Sequence, residues 1–253
     1  MNIIVGNTGL IGQTMIQNVK FDLLYNSKNI DQLIIDANDG DDLFLSCLPA
    51  TKWLVNKNIQ QDINNINYII NILSKKKYNK IILISTIDVY NESPLLSDET
   101  YTPKITKLNY GNNRFLFELM VSDILTYNDL KIFRLPALFS KNIKKNVLYD
   151  LIHNNNIEQI NGNSTFQWYN LENLYTDIQY YSNIYPEEKI INLFTEPIHT
   201  SEIVDLFPNI KNKINFNNTP ITYNYTTKFG KYIDNKDNVL KNIKTLINEF
   251  SGK

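Results

Sequence analysis

The stretch Val5-Gly6-Asn7-Thr8-Gly9-Leu10-Ile11-Gly12 decides how this chain is read. It follows Asn2-Ile3-Ile4-Val5, a short β-branched apolar run of the kind that forms a buried strand. After it, residues 8–20 read as a helix. Three glycines between a strand and a helix each answer a physical need. Gly6 permits the tight turn, Gly9 lets a pyrophosphate approach the backbone, and Gly12 lets the helix pack close to the strand. The helix start, with Thr8, Leu10 and Ile11, presents free N–H groups and a partial positive charge to an anion. A glycine motif alone is weak evidence, but this one stands in the strand–turn–helix context that such a motif requires.

Outward from the loop, residues 21–25 read as a second strand and residues 32–35 as a third, joined by a segment too short for a full helix. Residues 42–47 read as a fourth strand. Residues 53–74 read as one long helix, because Ile59, Ile63, Ile66, Ile70 and Leu73 recur at steps of three and four. Residues 80–85 are apolar without alternation, the pattern of a strand covered on both faces. A loop with Pro94 and Pro103 leads to a helix over residues 109–127 and a sixth strand over 130–134, stopped by Pro136. This alternation predicts an α/β fold with a Rossmann-type, doubly wound parallel sheet. Beyond it the pattern loosens. Residues 147–154, 171–181, 201–207 and 236–250 read as helices, and 190–194 as a strand. The expected division is a dinucleotide-binding domain over residues 1–140 and a small substrate lobe over 141–253, with some segments returning to the sheet.

The 253 residues, 43% of them apolar, suit one large α/β domain with a small appendage. A net charge of -1, from 25 basic and 26 acidic side chains, argues against a nucleic-acid partner. The run Lys75-Lys76-Lys77 reads as dipole complementation at a helix end. Cys47 stands alone, which excludes an intrachain disulfide and fits a reducing, cytoplasmic location. The reading includes no leader peptide and no membrane span. His153, His199 and Cys47 make no metal-ligand cluster, so no metal is expected.

The Gly-x-x-Gly-x-x-Gly spacing of Gly6, Gly9 and Gly12 resembles the first loop of the extended short-chain dehydrogenase/reductases, a group of nucleotide-sugar epimerases, dehydratases and reductases. Two further motifs carry the resemblance. Ser85-Thr86-Ile87-Asp88-Val89-Tyr90 is similar to the family's Ser-Ser/Thr-x-x-Val-Tyr segment, with Thr86 at the catalytic hydroxyl position. Tyr110-Gly111-Asn112-Asn113-Arg114 is similar to its Tyr-x-x-x-Lys, with Arg114 in the place of the lysine. The resemblance implies that Thr86 holds the substrate oxygen and that Tyr110 exchanges a proton. It implies that Arg114 bonds the nicotinamide ribose and favours the tyrosinate. A free tyrosine titrates near about 10, so a neighbouring cation is needed to lower it. Positions four apart share a helix face. Arginine keeps the charge of lysine but does not relay a proton.

The second strand ends in Tyr25-Asn26-Ser27-Lys28-Asn29, with none of the carboxylates that read a ribose 2′-hydroxyl. Asn26, Ser27 and Lys28 are therefore expected to favour NADP over NAD. By resemblance, Asp36 and Ala37 contact the adenine. Cys47, Leu48, Pro49 and Leu135 line the inner ribose and nicotinamide. Asp88 and Arg134 meet the substrate; Trp168 is a candidate for stacking on a base or sugar, with the core as its favoured reading. The family's dehydratases carry an Asp-Glu pair after the catalytic Thr, where this chain has Ile87 and Asp88, so dehydration is disfavoured. The leading expectation is a keto-reductase acting on a nucleotide sugar. The alternatives are an epimerase of the same group or a catalytically weak dinucleotide-binding sensor or scaffold. A homodimer through the helices at residues 53–74 and 109–127 is the family's habit.

Overall fold

Ile3, Ile4 and Val5 are almost wholly buried, and their run forms strand β1 (Asn2–Val5) of a computed structural model that describes residues 1–251. The glycine turn leads into α1 (Leu10–Asn18) and β2 (Leu23–Tyr25). Residues 32–35 do not form the expected strand. A 3-10 turn (Ile30–Gln32) runs into a short helix, α2 (Leu33–Asp36). The reason is visible in the burial: Ile30, Leu33 and Ala37 point inward at steps of three and four, while Ile35 is 84% exposed. Strand β3 (Asp41–Leu45) follows. The single helix expected over 53–74 is two, α3 (Lys52–Lys57) and α4 (Ile59–Leu73), broken at Asn58, whose backbone leaves the helical region. Next come β4 (Lys77–Thr86), a 3-10 turn (Ile87–Tyr90), α5 (Tyr110–Ile124) and β5 (Thr126–Leu135). The chain then forms β6 (Ala137–Phe139), α6 (Val147–His153), β7 (Thr165–Phe166) and β8 (Trp168–Asn170). It continues with α7 (Leu174–Ile184), β9 (Ile190–Asn192), β10 (Ile198–His199), α8 (Thr200–Val204) and α9 (Lys236–Ser251).

The chain divides into two compact units, but not by one cut at residue 140. The first gathers residues 1–94, 101–134 and 173–192. Its sheet has six strands in the order β2-β1-β3-β4-β5-β9, with β1 parallel to both β2 and β3, β3 to β4, and β5 to β9. Residues 173–192 belong here because β9 extends the sheet beyond β5, and α7 packs on α1. The helices α4 and α5 pack against each other, and Ile66, Ile70, Phe117 and Val121 join the buried faces of β1, β3 and β4 in one core. The order reverses at β1, between β2 and β3. This makes the carboxyl end of β1 the switch point where such sheets open a crevice.

The second unit gathers residues 95–100, 135–172 and those from 193 onward. It pairs β6 with β8 in parallel and β7 with β10 antiparallel. Its core brings Trp168, Leu148, Ile203, Val239 and Ile243 together. Among the described residues, no helix is long and apolar enough to cross a membrane.

Candidate active site

The three glycines of the first loop have different reasons to be glycine. Gly6 has φ +106°, and a Cβ there would lie 2.4 Å from the carbonyl oxygen of Ser46. A Cβ on Gly12 would lie 2.1 Å from the carbonyl oxygen of Gly6, so α1 sits on its own loop through that position. Gly9 is exposed, has φ −75°, and would bring a Cβ no closer than 3.5 Å to any atom. Packing does not require glycine there; a group lying against the backbone would. No side chain caps the start of α1, so its first N–H groups face outward. Gly6 and Asn7 donate their N–H groups to the Tyr25 carbonyl at 2.8 and 3.2 Å, which holds the loop against β2. A pyrophosphate fits this cradle, and with it a dinucleotide.

The second cluster forms where β4 meets the start of α5. Thr86 ends β4, and its hydroxyl accepts from the Asp88 N–H at 3.2 Å, capping the turn. Asp88 in turn accepts from Lys52 Nζ at 2.6 Å, at the start of α3. The first N–H of α5, that of Tyr110, donates to Asn56 Oδ1 at 2.8 Å, and Asn109 accepts from the Asn112 N–H at 2.9 Å. A Cβ at Gly111 would lie 2.0 Å from the Asp88 carbonyl oxygen. Glycine at this position is what allows α5 to rest on the turn after Thr86, and it brings Tyr110 near Asp88.

Arg114 lies one helical turn beyond Tyr110, with its guanidinium carbon 4.6 Å from the centre of the Tyr110 ring. The guanidinium donates to both carboxylate oxygens of Asp62, at 2.9 and 3.0 Å, and to the Pro49 carbonyl at 2.8 Å. Asn113 Nδ2 donates to the same Asp62 at 2.8 Å. Arg114 and Asp62 are both buried. Burial raises the Tyr110 phenol above its ordinary value. Arg114 pulls it down, while Asp88 and Asp62 push it further up, and the net direction is upward. The cation expected to favour the tyrosinate does not prevail here.

No protein-family model matches this chain, and neither does any curated protein. Solved structures do. UDP-N-acetylglucosamine 4-epimerase from Bacillus cereus is 14% identical, with all of both chains covered and a TM-score of 0.70. dTDP-4-dehydrorhamnose reductase from Yersinia enterocolitica is 11% identical over 97% of this chain and 99% of that one, with a TM-score of 0.71. UDP-glucose 4-epimerase from Thermus thermophilus, solved with NAD, is 12% identical over 100% and 99%, with a TM-score of 0.67. This chain has the fold of the extended short-chain dehydrogenase/reductases.

Within that fold, the residues expected from sequence part into those that gather at the cluster and those that do not. Thr86, Tyr110, Arg114 and Asp88 come together, and Pro49 joins them through its carbonyl. Cys47 is half-buried against the core, and loss of solvation pushes its thiol up to about 12 and leaves it a small apolar group. Asn26 Oδ1 accepts from the Lys28 N–H at 2.9 Å, and Ser27 and Lys28 are exposed at the end of β2.

Three expectations need correction, and a fourth residue, Trp168, takes its favoured core reading. Asp36 ends a helix and Ala37 follows it, in place of the expected strand; Asp36 accepts from the Tyr25 hydroxyl at 3.1 Å, and Ala37 is buried in the core. Leu135 is 3% exposed at the end of β5. Arg134 is 1% exposed and fully engaged inside the protein: it donates to Glu118 Oε1 and Oε2 at 3.0 and 2.6 Å and to the Tyr90 hydroxyl at 2.6 Å. Trp168 is 1% exposed in the core of the second unit, edge-on to Phe166, so its ring offers no stacking surface.

Asp62, Asn56, Lys52 and Gly111 escaped the sequence reading. A signal existed for Asp62: it stands four and seven residues before Ile66 and Ile69, so a carboxylate occupies the apolar face of α4.

Proposed function

We propose that this chain is a nicotinamide-dinucleotide-dependent oxidoreductase that reduces the keto group of a nucleotide sugar, with NADP preferred over NAD. One observation carries the reading: a single compact unit holds both the open glycine loop at the sheet's switch point and Tyr110 seated by Gly111 on the turn after Thr86. A bound dihydronicotinamide would supply the hydride. Gly6, Gly9, Gly12 and the start of α1 would hold the pyrophosphate. Thr86 would steady the carbonyl oxygen by a hydrogen bond, and Tyr110 would give it a proton. Asp88 is the one carboxylate after Thr86 and is held by Lys52, which speaks against an acid–base pair for dehydration. The similar structures that are an NAD-bound epimerase and a sugar-nucleotide reductase support this substrate class. The exposed Ser27 and Lys28, with no carboxylate beside them in the turn after β2, support the preference for a 2′-phosphate.

Calorimetric titration with NADPH and NADH separately tests the reading. Binding of NADPH over NADH, followed by turnover of a keto-sugar nucleotide, is expected. Failure of both dinucleotides to bind would overturn it. A second reading, a dinucleotide sensor of low turnover, is favoured by the commitment of the Arg114 fork to Asp62 and Pro49. Binding with no turnover across keto-sugar nucleotides would support that reading.

A further inference from the structure

Arginine at position 114 does not stand alone as the cation beside the tyrosine. Its fork closes on Asp62, and this pair is buried with Asn113 and the Pro49 carbonyl around it. We propose that Asp62, by holding Arg114 in a closed ion pair, keeps Tyr110 a neutral phenol, so that the site donates protons and carries ketone reduction in preference to epimerisation. The proposal rests on the oxidoreductase reading of this same site and narrows it.

The charged groups facing Tyr110 come from four elements. Arg114 lies on α5 itself. Asp62 comes from α4, holds the guanidinium in the ion pair and pushes the phenol in the opposite direction to Arg114. Asp88 comes from the turn after β4 and is paired with Lys52 of α3. Opposed charges thus stand in two pairs around a ring that is 8% exposed, where a tyrosinate would lose its solvation. The net upward direction for the phenol agrees with this geometry.

The consequence is directional. In reduction, the carbonyl π bond breaks as its carbon takes a hydride from the dihydronicotinamide and its oxygen takes the proton of Tyr110. The ketone becomes an alcohol, a bound dihydronicotinamide would be left as the nicotinamide cation, and Tyr110 is left as an anion that regains a proton from solvent. Tyr110 starts this step in the form the site prefers. Epimerisation begins with the reverse step, loss of hydride and proton from an alcohol, and needs the tyrosinate at the outset. Asp62 is a positioning residue in this scheme, acting through Arg114.

The test reads the phenol itself, with no cofactor present. Protein labelled with carbon-13 at the tyrosine ring carbon bearing the hydroxyl is titrated by NMR, the Tyr110 resonance being the one lost in Tyr110→Phe. In the wild type, Tyr110 should remain neutral past the range of free tyrosine, about pH 10, and in Asp62→Asn it should ionise at lower pH. Ionisation of Tyr110 near neutral pH in the wild type, or an unmoved titration in Asp62→Asn, overturns the proposal. Should Asp62→Asn fail to fold, the wild-type titration and the pH profile for reduction decide: Tyr110 should stay neutral, and kcat/KM for reduction flat, across neutral pH. A profile for reduction that falls through neutral pH as Tyr110 ionises overturns the proposal. Absence of dinucleotide binding sinks the oxidoreductase reading instead and leaves the titration result standing.

Discussion

The chain has two arginines against twenty-three lysines, and both arginines are buried against a carboxylate and a tyrosine. Arg134 pairs with Glu118 and lies over Tyr90 at 4.9 Å; Arg114 pairs with Asp62 and lies over Tyr110 at 4.6 Å. The same three side-chain types perform different work. Around Arg134 every group is turned inward. Ser85 also donates to Glu118, and the Tyr90 hydroxyl accepts from both Arg134 and Asn192. This cluster ties the ends of β4, β5 and β9 to α5. Around Arg114 the tyrosine instead stands next to the turn that carries Asp88, where it is proposed to give a proton. A lysine point charge would serve a surface; a buried carboxylate with two fixed oxygens calls for the planar fork. What separates a brace from a site is therefore the tyrosine's surroundings and not the ion pair.

The brace should fail hardest. Glu118→Ala leaves Arg134 charged, buried and without its acceptor, and should cost about 3–5 kcal/mol of folding stability. Urea unfolding measures this; a loss below about 1 kcal/mol would remove the distinction between the two arginines. The two tyrosines sharpen it next. Tyr90→Phe strips the acceptor from Arg134 and Asn192 and should destabilise the fold by about 1–3 kcal/mol. Tyr110→Phe should change stability by no more than about 1 kcal/mol yet slow turnover about 100- to 10,000-fold. Parallel unfolding and rate measurements on both variants would show whether the roles divide this way or are shared.

How much of this was readable beforehand follows from what each feature depends on. The strand–loop–helix at the start is a local pattern that the structure forms; the order of Thr86, Tyr110 and Arg114 is local too, and the catalytic roles given to them are proposals. Residues 32–35 misled because Leu33, Ile34 and Ile35 make an apolar run too short to reveal its period; only Ile30 and Ala37 on either side show the helical step. Arg134 misled for another reason. Motif position says where a residue sits in the chain, whereas its partner Glu118 is set by tertiary contact; Trp168, for which the core is the favoured reading, lies in the second unit's core. Asp62 was hidden by the same logic, since a carboxylate on an apolar helix face has meaning only once Arg114 is found opposite it.

The glycine loop repeats the contrast on a smaller scale and offers the finest test of it. Gly12 is bound by packing, because any side chain would press on the Gly6 carbonyl at 2.1 Å, and Gly12→Ala should destabilise the fold by about 1–3 kcal/mol. Gly9 has 3.5 Å of clearance and ordinary backbone angles, so Gly9→Ala should leave stability within about 0.5 kcal/mol of wild type. Its effect should appear only when a dinucleotide is added, as an affinity loss on the order of tenfold, or about 1.4 kcal/mol. Thermal unfolding with and without NADPH, run on both variants, separates the two glycines. If Gly9→Ala binds as well as wild type, nothing lies against that backbone, and Gly9 is a glycine without a ligand to explain it.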